Sequence, residues 1–297
     1  MKPITIGYFA DGPWSHEALK KLTADSTIRI AFICARHDNP DSVLRTLAEE
    51  HQLEFLTHPA INSDEFLRKI EGTTCDLFVS MSFNQIFKKR LIEYPGMRTI
   101  NCHAGKLPFY RGRNILNWAL INDEKEFGIT VHYVDEGIDT GDILAQRTYP
   151  ISDQDNYATL LARAYPGCAE LLYETVKGLQ AGRIVATAQS DIHPYGFYCT
   201  GRMQGDERLD WQQPSRNVFN FVRAICRPGP EARTFCGGAE MRINRVEYLP
   251  EAPPFRGIPG AVLGVERDGF FVKTADSYVK VVEWGGVDKI RIGDRLR

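Results

Sequence analysis

Two residues that could do chemistry together stand two apart in Asn101-Cys102-His103, which runs on into Ala104-Gly105-Lys106-Leu107-Pro108-Phe109-Tyr110-Arg111-Gly112. A Gly-rich acidic loop follows later, Asp135-Glu136-Gly137-Ile138-Asp139-Thr140-Gly141-Asp142. Asn101, His103 and Asp139 suit acyl transfer to an amine. His103 can take a proton near neutral pH, and the Asn101 amide can donate to a developing oxyanion. Asp139 can orient and charge-stabilise His103, or relay protons. The same residue types also fit a satisfied structural histidine and a turn aspartate, with Gly137 and Gly141 as turn formers.

The elements that must position these groups alternate in kind. Short β-branched runs predict strands over 4–9, 28–34, 54–56, 76–80, 99–103 and 128–134. Helical spacing and capping residues predict helices over 16–22, 41–51, 65–70 and 160–179. Strands alternating with helices imply βαβ units and an α/β fold, a Rossmann-like parallel or mixed sheet with helices on both faces. Period-two geometry points Asn101 and His103 to one face, beyond the carboxyl edge where such folds place ligands. The loop around Asp139 can return it to that cleft. Cys102 faces away from His103, so the two cannot easily share a metal ion, and no metal is expected.

Beyond residues 200–206 the chain turns rich in Pro and Gly, with short strands over 240–248, 260–265, 269–274 and 278–283 after a helix over 217–224. This pattern suggests a small antiparallel β-barrel, OB-like in type. The expected division is a catalytic domain over 1–203 and a smaller domain over 204–297. A chain of 297 residues, 43% hydrophobic and 25% charged, is neither disordered nor collagen-like. Its formal charge of −2 shows no strong pull toward nucleic acid. No segment approaches the roughly 18 apolar residues of a membrane span, and no signal peptide is read. Seven scattered cysteines without a C-x-x-C pair fit a reducing cytoplasm. The loop Phe9-Ala10-Asp11-Gly12-Pro13 is not G-x-G-x-x-G, so dinucleotide binding is not supported.

Three ordered pieces resemble the signature of the 10-formyltetrahydrofolate-dependent formyltransferases: Asn101-x-His103, then Leu107-Pro108-x-Tyr110-Arg111-Gly112, then Asp135 to Leu144. That family includes glycinamide ribonucleotide, methionyl-tRNA and nucleotide-amino-sugar enzymes. The resemblance implies catalytic roles for Asn101, His103 and Asp139, with 10-formyltetrahydrofolate as co-substrate. It implies donor binding by Phe83, Asn84, Gln85 and Ile86, in the segment matching the family's pterin loop, and by Asp135, Gly137 and Ile138. Read as residues alone, Phe83, Ile86 and Phe87 fit plain core equally well. The family's usual Ser-Leu-Leu-Pro is Gly105-Lys106-Leu107-Pro108 here. Leu209-Asp210-Trp211 and Pro259-Gly260-x-Val262-Leu263 are similar to the C-terminal domain of the methionyl-tRNA and 4-amino-arabinose enzymes, so the resemblance covers nearly the whole chain.

The acceptor is read from charge and from one motif. Between residues 34 and 62 only Arg36 and Arg45 are basic, and residues 205–297 show no basic excess that would mark an RNA partner. Arg111-Gly112-Arg113-Asn114-Ile115-Leu116-Asn117-Trp118 resembles the UDP-4-amino-arabinose formyltransferase domain. The expected acceptor is therefore a UDP- or dTDP-linked amino sugar, with no nucleic acid and no membrane as partner. Trp14, Lys106, Tyr110, Arg111 and Arg113 are the candidate substrate-binding residues. Two arginines suit a diphosphate, although a solvated helix-entry turn explains them equally. Trp14 could stack on a base or pterin, or simply pack its helix. The resemblance also implies a homodimer and a product destined for a cell-surface glycan. The rival readings are methionyl-tRNA formylation and a non-catalytic folate- or nucleotide-sensing module.

Overall fold

The computed structural model describes residues 2–297. In chain order the elements are β1 (Ile4–Ala10), α1 (Pro13–Thr23), β2 (Ile28–Ala35), α2 (Ser42–Glu50), β3 (Glu54–Thr57), α3 (Asp64–Ile70), β4 (Leu77–Met81), α4 (Lys89–Ile92), β5 (Thr99–His103) and β6 (Arg111–Gly112). There follow α5 (Ile115–Ile121), β7 (Glu126–Tyr133), β8 (Ile143–Pro150), α6 (Tyr157–Gln180), α7 (Gln189–Ile192), β9 (Tyr198–Cys199) and α8 (Ser215–Ile225). The last strands are β10 (Ala232–Cys236), β11 (Ala239–Glu247), β12 (Val262–Glu266), β13 (Gly269–Lys273) and β14 (Tyr278–Gly285). Two compact units result. One takes the chain up to Gly112 with Phe127–Tyr149 and Ala162–Cys199, and the other takes Arg113–Glu126, Pro150–Leu161 and Thr200–Arg297.

The first unit holds a seven-stranded sheet in the order β3-β2-β1-β4-β5-β7-β8. It is parallel from β3 to β5 and turns antiparallel at β7, so the α/β sheet is mixed. Local chemistry starts the helices. Asp41 accepts the Leu44 N–H at 2.8 Å to cap α2, and Ser63 accepts the Phe66 N–H at 3.2 Å to cap α3. Pro13 opens α1, where its missing N–H costs nothing. The sheet's core is a nest of rings: Phe9 meets Phe32, Phe78 and Phe87 with centroids 5.5, 5.1 and 5.0 Å apart, all near edge-to-face.

The second unit holds an antiparallel sheet ordered β10-β11-β14-β13-β12. The chain's last residues join its two edges. Leu296 bridges to Cys236 at the end of β10, and Arg295 bridges to Ala261 just before β12. Closure removes the unpaired edges that an open sheet would leave. Helix α8 packs on β11, and its buried face carries Val218, Phe219, Val222 and Ile225. Among the described residues, no helix is long and apolar enough to cross a membrane.

Candidate active site

Strand β5 carries Asn101 and His103, and its neighbours decide what they meet. Register sets Asn101 beside Ser80 of β4 on one side and His132 of β7 on the other. Asn101 is half-buried and His103 buried. The loop after β7 brings Asp139 to the same place. Its carboxyl Oδ2 lies 3.7 Å from His103 Nδ1, and its Oδ1 lies 3.5 Å from His132 Nε2. The Gly112 N–H donates to Oδ2 at 2.8 Å. The structure thus gathers Asn101, His103 and Asp139 around one point, and adds a fourth side chain, His132.

The hydrogen bonds assign the protons. His103 Nε2 lies 2.7 Å from the Tyr110 carbonyl, which can only accept, so Nε2 carries a proton. Nδ1, facing Asp139, is the nitrogen free to gain one. His132 Nδ1 donates in the same way to the Tyr133 carbonyl at 2.7 Å. Its Nε2 is left to accept from the Asn101 amide at 3.2 Å. His132 therefore fixes which way the Asn101 amide points. Burial by itself would raise the Asp139 carboxyl. The positive charge that His103 and His132 carry once each is protonated, together with the Gly112 N–H, outweighs burial and holds it well below the usual carboxylate range.

The loops are pinned from behind. Asp139 has a left-handed backbone, φ +54°. Its carbonyl and that of Gly141 each accept from Gln189 Nε2 at 2.8 Å, while Gln189 Oε1 accepts from Arg111 at 2.6 and 3.1 Å. All four hydrogen-bonding positions of this buried amide are filled. Gly105 stands where the resemblance leads one to expect serine. A Cβ there would lie 2.4 Å from both His103 Nε2 and the Tyr110 carbonyl, so glycine lets that bond close. Thr130 Oγ1 donates to the Gly105 carbonyl at 2.7 Å, and Gln146 donates to the Leu107 carbonyl at 2.9 Å. His132 and Gln189 escape a reading of the sequence. The first looks like a strand-interior histidine until register sets it opposite Asn101, and the second lies far from Asp139 along the chain.

The remaining candidates lie on other segments. Gln85 builds its loop by donating to the His58 carbonyl at 2.8 Å and accepting from the Ile61 N–H at 3.0 Å. Phe83 packs on Phe9 at 5.6 Å, Asn84 is exposed, and Ile86 is 61% exposed. Asp135 accepts from the Gly137 N–H and from Thr140 Oγ1, forming the turn that presents Ile138, 50% exposed. Trp14 meets Tyr165 edge-on at 4.6 Å in helix packing. Tyr110 is buried, Arg111 is held by Gln189, and Lys106 and Arg113 are exposed. Among the described residues, no group of three or more His, Cys, Asp or Glu side chains is placed to hold a metal.

Comparison with known proteins corrects the expected acceptor and partner. Residues 6–176 match the family described as formyl transferase, and residues 203–292 match the formyl transferase C-terminal domain. A methionyl-tRNA formyltransferase of Halalkalibacterium halodurans is 33% identical over 279 residues, 91% of this chain and 86% of that protein. One from Geobacter sulfurreducens is 35% identical over 240 residues, 81% and 74% of the two chains. An N-formyltransferase from Helicobacter canadensis, solved with folinic acid and dTDP-3-aminofucose, superposes with a TM-score of 0.70 at 18% identity over 96% of this chain and 100% of that one. At that identity it shares the fold. The expected nucleotide-linked amino-sugar acceptor, its glycan product and the expected lack of a nucleic-acid partner are therefore overturned by the methionyl-tRNA relatives. Summed charge is blind to placement: Arg245, Arg256, Arg267 and Arg291 are exposed and, among the described residues, form no ion pair. The formyl donor implied by the motifs, 10-formyltetrahydrofolate, is the family's co-substrate. With its matches in both halves and its shared motifs, the chain belongs to the formyl transferase family.

Proposed function

We propose that the protein transfers a formyl group from 10-formyltetrahydrofolate to the amine of methionyl-tRNA. The observation that carries this reading is the one-third identity to methionyl-tRNA formyltransferases sustained over 91% of the chain. Residues 1–203 would perform the transfer and residues 204–297 would form a separate domain, with exposed arginines suited to phosphate. A cytoplasmic setting accords with seven cysteines that are all unpaired.

In this reading Asn101 donates its remaining amide N–H to the carbonyl oxygen as negative charge grows there. His103 Nδ1 takes the proton that the attacking amine sheds, and Asp139, 3.7 Å away, stabilises the resulting cation. His103 then returns the proton to the nitrogen that leaves the formyl carbon. One C–N bond forms, one breaks, and no covalent enzyme intermediate is needed. His132 is a positioning residue that holds the Asn101 amide. Phe83, Asn84, Gln85, Ile86, Asp135, Gly137 and Ile138 would receive the donor.

The test is a formylation assay with purified methionyl-tRNA and 10-formyltetrahydrofolate. Formyl-methionyl-tRNA is the expected product, and its yield falls by about two to four orders of magnitude in His103→Ala. Absence of formylated tRNA from the wild-type protein refutes the acceptor. Undiminished turnover by His103→Ala refutes the chemistry assigned to His103.

A further inference from the structure

A run of aromatic side chains is exposed beside the candidate active site and has no part in the chemistry above. Residues 193–198 read His193-Pro194-Tyr195-Gly196-Phe197-Tyr198. Tyr195, Phe197 and Tyr198 are 75, 42 and 53% exposed, which is unusual for large rings. Five rings form a chain, Tyr195 to His193 at 6.2 Å, His193 to Phe109 at 5.1 Å, Phe109 to Phe197 at 5.7 Å and Phe197 to Tyr110 at 4.9 Å, and Tyr198 stands outside it beside Arg111. The Arg111 guanidinium lies 5.5 Å from the centre of the Tyr198 ring.

The surface is built into the site. Strand β9 pairs with β6, setting Tyr198 beside Arg111 and Cys199 beside Gly112. The Arg111 N–H donates to the Phe197 carbonyl at 3.1 Å. A Cβ on Gly196 would lie 2.4 Å from the Pro108 carbonyl, so only glycine permits this approach. Tyr110, whose ring meets Phe197, offers the carbonyl that holds His103. The rings are thus fixed by backbone to the segment that positions the candidate catalytic histidine.

We infer that this aromatic surface is a stacking platform for the unpaired nucleotides at the 3′ end of the acceptor RNA. The inference rests on the methionyl-tRNA reading. The amine to be formylated hangs from that single-stranded end, so those nucleotides must pass close to His103. Bases stack on exposed aromatic rings whatever their sequence, and a neighbouring arginine adds cation–π and phosphate attraction. An apolar protein partner would meet the same rings, but nothing would tie it to the transfer site.

The test combines formylation kinetics with binding of a labelled single-stranded oligoribonucleotide carrying the tRNA 3′ sequence. Tyr195→Ala and Tyr198→Ala should each raise the KM for methionyl-tRNA and weaken oligonucleotide binding about tenfold. Tyr195→Phe and Tyr198→Phe should restore both, because stacking needs the ring and not the hydroxyl. The slope of log KM against log salt should not change, since no phosphate contact is removed. Wild-type KM and oligonucleotide affinity in both alanine variants, beside a wild type that formylates methionyl-tRNA, overturn the platform and leave the acceptor reading standing. Loss in the phenylalanine variants, or a change of oligomeric mass in the alanine variants, also overturns it. A wild type that binds the oligonucleotide but does not formylate methionyl-tRNA refutes the acceptor reading instead.

Discussion

At Asp139, burial and charge pull in opposite directions, and charge wins. In the acid range, protonated His103 and His132, with the Gly112 N–H, hold the carboxyl ionised despite its buried position. A carboxylate with a lowered folded value stabilises the protein above its unfolded value, near pH 4, and that contribution is lost as pH falls through the lowered value. Asp139→Asn should therefore reduce the melting temperature at neutral pH and flatten its acid dependence. Calorimetry of both proteins from neutral pH down checks this, and parallel acid limbs would contradict it. Turnover should fall by about two to four orders of magnitude in the same variant. That Asn101 and His103 share one face is legible from period two, while their chemical role comes from the resemblance. His132 is not legible, because its effect depends on a strand partner that the chain reaches only after a long excursion.

Elements decide how firmly these side chains are held. The loop around Asp139 owes its position to Gln189 at the start of α7, which joins two carbonyls to one guanidinium. Gln189→Glu keeps both acceptors toward Arg111 but turns a carboxylate onto two carbonyl oxygens. Leaving buried groups unsatisfied costs about 1–3 kcal/mol each. We expect a fall of about 2 kcal/mol in urea unfolding and a kcat at least tenfold lower, while unchanged values would show that the loop stands without this tie. The strands β8 and β10 went unread for a common reason. In each the apolar run is interrupted by polar or charged side chains, Gln146 and Arg147 in one and Arg233 in the other. The strands next to Asn101 lie inside the sheet, and their continuous apolar runs gave them away.

Over the whole molecule, the last residues act as a clasp. Leu296 is buried, its N–H donates to the Gly260 carbonyl at 2.8 Å, and Arg297 exchanges two backbone hydrogen bonds with Phe235 at 2.9 and 3.0 Å. Removing Arg295–Arg297 should destabilise the second unit by about 3 kcal/mol, the cost of losing a buried leucine. Protease susceptibility and thermal unfolding would register it, and an unchanged melting curve would show that the sheet needs no closure. Nothing in the sequence marks these residues as structural, because a bridge between two sheet edges has no local pattern.

The sequence by itself determined the class of chemistry and the alternation that builds the sheet. Both depend on residue types at short fixed spacings, which survive in one dimension. The tertiary structure decided the proton positions of His103 and His132, the orientation of Asn101, the tie through Gln189 and the aromatic surface of residues 193–198. Each of these joins segments distant in the chain, and the energy of such a contact depends on distance and burial, which only the folded chain defines.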